Sequence, residues 1–298
     1  MPSVRGVTAP LLGEIMSPAI TIRSPRRDLG ERTYTCRVHL TAAFVCALAP
    51  LLCIAVATAQ AADSAANAAT QRPYNWGGCY VGLNAGAGAG GSSFTAAIAP
   101  GSHLGSADAE LVDTAGNGSA NATSFLGGGQ AGCNWQSGTF VFGLEADIAY
   151  FNNNPQFANA TNTLSRGNTF GVTQSLKTDY FATVRPRIGI AADRNLAYIT
   201  GGVAFSNASY TQTYGDANSP AGTGSASGSR SLVGWTAGAG WEHAWMNNWT
   251  FKLEYLFAEF PTTDALGSIL DSAGGTNPLH GSANLQIQTL RAGMNYKF

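Results

Sequence analysis

The 298-residue chain is 45% hydrophobic, which excludes wholesale disorder and is enough for one large domain or two small ones. Only 11% of its residues are charged and 37 are glycine, too few charges to cover a water-facing surface when a typical soluble domain carries about 25%. The net charge of −1 conceals six arginines before residue 60; downstream remain 10 basic and 14 acidic residues, a mildly acidic balance that gives no support to nucleic-acid binding.

The first recognisable element is "RVHLTAAFVCALAPLLCIAVATAQAA", with a positive start at Arg37, an apolar stretch from Leu40 to Val56 and small residues at Ala57, Ala59 and Ala61. That order is the plan of a secretory signal cut near Ala59 or Ala61. An uncleaved anchor is the alternative, and the small-residue exit argues against it. The 36 residues ahead of it are longer than a normal basic region, and a start codon placed too far upstream accounts for them. Residues 1–61 are therefore read as an extension plus signal, 62–76 as a periplasmic segment and 77–298 as the folded domain.

Beyond residue 62 no stretch is apolar for the 18 or so residues of a membrane helix. Alternation of period two appears instead. In "FVFGLEADIAY" Phe140, Phe142, Leu144, Ala146, Ile148 and Tyr150 oppose Val141, Gly143, Glu145, Asp147 and Ala149; in "WTFKLEYLF" Trp249, Phe251, Leu253, Tyr255 and Phe257 oppose Thr250, Lys252 and Glu254. Eight such segments follow in order, at about 77–90, 124–136, 139–151, 177–191, 196–208, 231–245, 249–260 and 283–298. Each can cross a hydrocarbon layer, which takes a tilted strand about 9–11 residues. Connections alternate between very short (Ser137-Gly138, Ala192 to Asn195, Met246 to Asn248) and long (91–123, 152–176, 209–230, 261–282), the long ones rich in Gly, Ser, Thr, Asn and Ala and read as flexible surface loops. The pattern predicts an all-β, eight-stranded antiparallel up-and-down transmembrane barrel with short periplasmic turns. A soluble sandwich or barrel also alternates, but it would carry its charges outward. Here Trp135, Trp241, Trp245, Trp249, Tyr296 and Phe298 cluster near the short turns as one aromatic girdle, with Tyr150, Phe257 and Phe260 toward the other.

Parity sends Glu145, Asp147, Asp179, Arg185, Arg187, Glu242, Lys252, Glu254, Arg291 and Lys297 into the lumen. An eight-stranded barrel has an interior that side chains just fill, so these charges are expected to pair with one another; a narrow selectivity constriction is the functional alternative. The inward glycines of the first strand, Gly82, Gly86, Gly88 and Gly90, lack the strand-turn-helix context of a nucleotide loop and leave packing room instead. Catalysis has little to stand on. His103 and His280 lie in long connections, His243 faces lipid, and no Ser-His-acid set shares a strand end. Loop acids Asp108, Glu110, Asp113, Asp264 and Asp271 match no metal spacing, so neither metal nor cofactor is expected. Cys36, Cys46 and Cys53 leave with the signal, and the remaining pair, Cys79 and Cys133, shares lipid-facing parity at the periplasmic end of neighbouring strands. In an oxidising compartment this predicts a disulfide; two adjacent thiols are the alternative.

The stretches "YNWGGCYVGLNAG", "FVFGLEADIAY", "TVRPRIGIAADRNLAYITGGVAF", "GWTAGAGWEHAWMNNWTFKLEYLF" and "RAGMNYKF" resemble the small porin-like outer-membrane barrel family, the OmpA-type eight-stranded domains of Gram-negative surfaces. The resemblance implies an outer-membrane protein of structural or surface-antigen character, without an attached peptidoglycan-binding domain. The terminal Arg291, Gly293, Tyr296 and Phe298 look like the signal read by the barrel-assembly machinery. Expected partners are outer-membrane lipid and lipopolysaccharide, the assembly machinery and periplasmic chaperones, with the loop ligand unassigned.

Overall fold

The computed structural model describes residues 74–218 and 220–298. The extension, the signal and most of the segment before residue 77 lie outside the described residues. Nine strands and one helix follow in order: β1 (Gly78–Ile98), α1 (Ser106–Ala115), β2 (Gly118–Ser137), β3 (Phe140–Asn153), β4 (Gln156–Thr163), β5 (Thr169–Ala192), β6 (Asn195–Asp216), β7 (Gly222–Ala244), β8 (Trp249–Asp271) and β9 (Thr276–Lys297). Eight of the strands form a closed antiparallel ring, β1-β2-β3-β5-β6-β7-β8-β9, sealed where β1 pairs with β9 from Tyr80↔Lys297 to Ile98↔Leu279. Closure leaves no free edge, so the backbone polar groups of the ring are met by neighbouring strands; that is the condition for strands to cross hydrocarbon. β4 continues the wall above β3, pairing with the first part of β5 on the edge that β3 occupies lower down.

The short turns fall where the sequence places them. Gly138 (φ 61°) and Asp193 (φ 50°) take the left-handed backbone conformation that reverses the chain between β2 and β3 and between β5 and β6; Gly and Asp tolerate it at little cost. On β3 Phe140, Phe142, Leu144, Ile148 and Tyr150 are exposed while Val141, Glu145, Asp147 and Phe151 are buried, so the apolar set faces lipid. Following the outward residues upward, four of the strands change from apolar to polar. β7 passes from Trp235 and Val233 to Ser231, Ser229 and Ser227, β6 from Phe205 to Asn207, β2 from Phe125 to Thr123, and β9 from Leu290 to Gln288. That change marks the outer edge of the hydrocarbon band.

Above it the structure departs from the sequence reading. The long connections are largely continuations of the strands, and the one between β1 and β2 also carries α1. Inward alternation persists there, with Phe94, Ala96 and Ile98 on β1 and Tyr210, Gln212 and Tyr214 on β6. The outward partners are Ser, Thr and Asn rather than lipid-facing aromatics, so the hydrophobic contrast that betrays a strand is weak. In α1 the residues Ala109, Val112 and Ala115 are buried at three-residue spacing, and they join Leu104, Phe94, Leu126, Phe151 and Leu279 in an apolar core that fills the outer half of the barrel. Phe260 belongs to this core rather than to an interfacial girdle, edge-on to Phe181 at 6.5 Å between ring centroids. A second apolar cluster, Trp76, Val141, Ala191, Leu196, Tyr198 and Ala244, fills the periplasmic end.

Cys79 and Cys133 are register partners on β1 and β2 and form a disulfide spanning 54 residues of sequence. It closes the longest hairpin connection at its base. In the loop-entropy model such a cross-link contributes up to about 4 kcal/mol. The double variant Cys79→Ser/Cys133→Ser should keep the heat-shifted gel mobility of a folded barrel while unfolding at lower urea; an unchanged midpoint would show that strand pairing alone fixes the hairpin.

Candidate functional site: a neutral charge layer across the lumen

Between the two apolar clusters four carboxylates and four cations meet. Glu145, Asp147, Glu242, Glu254, Arg185, Arg187, Lys252 and Arg291 are all buried. Strand register delivers the pairing, because Glu145 stands opposite Arg185, Glu242 opposite Lys252, and Glu254 opposite Arg291. Arg291 Nε and Nη2 donate to Glu254 Oε2 at 2.8 and 2.6 Å, and its Nη1 donates to Asp147 Oδ1 at 2.7 Å. Arg185 Nη2 reaches Glu145 at 2.8 Å and Asp147 at 2.9 Å. Lys252 Nζ donates to Glu145 Oε1 at 2.7 Å. At the periplasmic side Arg187 donates to Glu242 at 3.1 Å and to Asn134 at 2.9 Å, and its guanidinium lies 4.9 and 5.0 Å from the ring centroids of Tyr80 and Tyr198.

Neutral groups take up the remaining acceptor positions. Tyr80 donates to Glu145 at 2.6 Å, Tyr198 to Glu254 and Asn295 to Glu242, each at 2.8 Å, and Thr183 and Thr250 donate to Asp147 and Glu242. Small residues make the room, as the sequence reading held for inward glycines. A Cβ on Gly132 would collide with the Tyr80 ring, and one on Gly143 would press on Arg187 Cγ at 3.1 Å. Arg185 Nε and Arg187 Nη2 have no hydrogen-bond partner among the described residues. With equal numbers of each sign the layer is electrically neutral, and no carboxylate in it lacks a charged or hydrogen-bonded partner. An arrangement of this kind can seal and stiffen a lumen; it offers no isolated charge to attract a passing ion.

Two lysine and aspartate assignments need correction. Asp179 is not in the lumen: its side chain is 45% exposed and pairs with Lys177 at 2.9 Å and with Asn207 at 2.8 Å. The β5–β6 register shifts between Lys177 and Phe181, so inward parity changes from even to odd numbers at that bulge, a feature period counting cannot see. Lys297 lies at the periplasmic mouth, 4.6 Å from the Tyr74 ring centroid. Of the terminal residues, Arg291 and Gly293 face inward while Tyr296 and Phe298 face outward. The sequence reading does not include Tyr80, Asn134, Thr183, Tyr198, Thr250 and Asn295; Thr183, Thr250 and Asn295 have inward parity on strands that carry a lumen charge, which was the available signal, whereas Tyr80, Asn134 and Tyr198 stand on β1, β2 and β6, which contribute no charge to the layer. No group of three or more His, Cys, Asp or Glu suited to a metal occurs among the described residues.

A closed ring with a lipid-facing apolar band, an aromatic rim and a sealed interior defines an integral outer-membrane β-barrel. The chain belongs to the family of the outer membrane protein beta-barrel domain, whose model matches residues 49–298. It is 34% identical over 263 residues to the 31 kDa outer-membrane immunogenic protein of Brucella melitensis biotype 1, covering 84% of this chain and 98% of that protein. It is 26% identical over 181 residues to the 25 kDa outer-membrane immunogenic protein of Brucella abortus biovar 1, covering 61% of this chain and 69% of that one. Among solved structures it is similar to the outer membrane protein OprG of Pseudomonas aeruginosa, with a TM-score of 0.36 and 11% identity over 76% of this chain and 99% of that chain. The protein is a structural barrel of the outer membrane.

Removing one partner from a buried charge pair costs about 3–5 kcal/mol because the other charge is left uncompensated. Lys252→Met should therefore lower the unfolding free energy in urea by about that amount, far more than an exposed lysine would. A loss within 0.5 kcal/mol or so, the range of surface substitutions, would show that Glu145 is adequately served by Arg185 and Arg187 alone.

Proposed function

We propose that the protein is a non-conducting wall element of the cell envelope whose outer hairpins form its contact surface toward the exterior. The observation that carries this reading is the stacking order inside the ring: an apolar periplasmic cluster, a neutral charge layer and an apolar outer core roofed by α1. Conduction needs a wet path of polar lining, and each of the two apolar layers interrupts one.

The outward Ser, Thr, Asn and Gln of the upper strands suit packing among lipopolysaccharide sugars, as the apolar band below suits the acyl chains. The immunogenic designation of the Brucella relatives supports a surface-antigen role for the hairpins. Export by a signal cleaved near Ala59 or Ala61, escort by periplasmic chaperones and delivery to the barrel-assembly machinery through the terminal Tyr296 and Phe298 complete the proposal. Catalysis has no part in it.

Planar-bilayer recording of the refolded chain from residue 62 onward tests the reading. A silent bilayer is expected, with folding checked by heat-shifted gel mobility. Reproducible conductance steps whose ion selectivity changes in Arg185→Ala/Arg187→Ala would replace the wall element with a narrow channel.

A further inference from the structure

The connection from β1 to α1 holds a buried histidine between two aspartates. His103 Nε2 lies 2.7 Å from Asp216 Oδ2 at the end of β6, and Nδ1 lies 2.9 Å from Asp271 Oδ2 at the end of β8; the three side chains are 3%, 0% and 6% exposed. The second oxygen of each carboxylate is already engaged. Asp216 Oδ1 accepts from the backbone of Asn218 at 2.9 Å and Gly222 at 3.1 Å, and Asp271 Oδ1 accepts from Ala273 and Gly275, both at 2.8 Å. Tyr214 donates to Asp216 Oδ2 at 2.7 Å. A neutral imidazole has one N–H, so it would turn a lone pair toward one of these oxygens. Both contacts are hydrogen bonds when the ring carries both protons.

The position matters as much as the chemistry. His103 stands three residues ahead of α1, flanked by Ser102 and Leu104, whose N–H groups donate to Thr276 O at 3.0 Å and Asn277 Oδ1 at 2.8 Å. Leu104, Ala109 and Val112 then insert into the outer core. The helix is also tied by Asp113 to Ile98 N at 2.6 Å and by Asp108 to Ser165 N at 2.8 Å, but among the described residues only His103 joins it by ion pairing to the tips of two other hairpins.

We propose that His103 is a protonation-controlled latch that holds α1 over the outer mouth of the barrel: closed while the ring is charged between Asp216 and Asp271, loosened when the ring becomes neutral. The groups facing it are Asp216 and Tyr214 from β6 and Asp271 from β8, with Asp108 of α1 close enough to act on Tyr214. The contacts from β7 and β9 come from Gly222, Thr276 and Asn277, which do not titrate. Burial by itself lowers the His103 pKa, but the hydrogen bonds and charges of the two aspartates outweigh it, and the net shift is upward. Burial raises Asp216, and the donors around it, His103 first, bring it below the usual carboxylate range; Asp271 is held low by the Gly275 N–H and then by His103. A histidine raised above its unfolded value of about 6.5 contributes its full stabilisation below that pH and loses it as pH rises through the folded value. The latch therefore holds below about 6.5 and loosens as pH rises through the raised His103 value.

Amide hydrogen exchange across Ser106–Ala115, measured on the detergent-refolded protein from pH 5 to 9 and corrected for intrinsic rate, reads the latch directly. The expected result is protection at low pH, exchange that accelerates by up to about tenfold per pH unit between about 6.5 and the raised His103 titration point, the slope of one proton, and a plateau above it. His103→Gln should exchange quickly at every pH. Exchange independent of pH in the wild type, or the same profile in His103→Gln, would overturn the latch. Should that variant fail to fold, ¹⁵N imidazole spectra of the wild type decide. The latch requires a ring, assigned through sequential backbone connectivity from its neighbours Ser102 and Leu104, that titrates above about 6.5; titration at or below that value refutes it.

Discussion

Eight formal charges buried at one level of a narrow barrel impose the constraint on which the rest of the fold depends. An unpaired charge at that depth is far more costly than any single packing contact, so the layer is tenable only with signs balanced and partners within hydrogen-bond reach. Those distances are short because cross-strand register sets acid opposite base. Register in turn is fixed by the apolar outward set: a slip of one residue would carry Phe140 and Leu144 inward and drive Glu145 and Asp147 into lipid. Hydrophobic patterning on the outside and charge pairing on the inside therefore select the same alignment.

The same logic orders the interior. A hydrated lumen would weaken the ion pairs by screening, whereas the apolar clusters on either side keep them in a low-dielectric slab where attraction between partners is strong. Trp76 and its neighbours close the slab below, and the outer core with α1 closes it above. The barrel thus owes its rigidity to three stacked layers, and its outward surface is left to lipid below and to polar hairpins above.

Much of this was legible in one dimension, for identifiable reasons. Where lipid supplies the contrast, as in Phe140 to Tyr150 or Trp249 to Phe257, alternation gives strand, facing and lumen residues together, and Cys79 and Cys133 follow from parity plus hairpin topology. Above the hydrocarbon edge Ser and Thr replace the aromatics, the contrast fades and the strands read as loops. A bulge hides more: the shift between Lys177 and Phe181 misassigns Asp179, whereas Phe260 keeps the inward parity of Thr250, Lys252 and Glu254 and joins the core by alternation alone. His103 finds Asp216 and Asp271 across 113 and 168 residues, a meeting of hairpin tips that no local pattern announces.

A double-mutant cycle on Arg291 and Glu254, read as urea unfolding of the refolded barrel, tests most directly whether paired charge holds the interior together. If it does, Arg291→Met and Glu254→Gln each cost about 3–5 kcal/mol alone, and the double variant, again neutral, is no less stable than the worse single one. Losses that simply add would contradict the account, because they would mean that each side chain stabilises the barrel by its own packing and that the pairing is incidental.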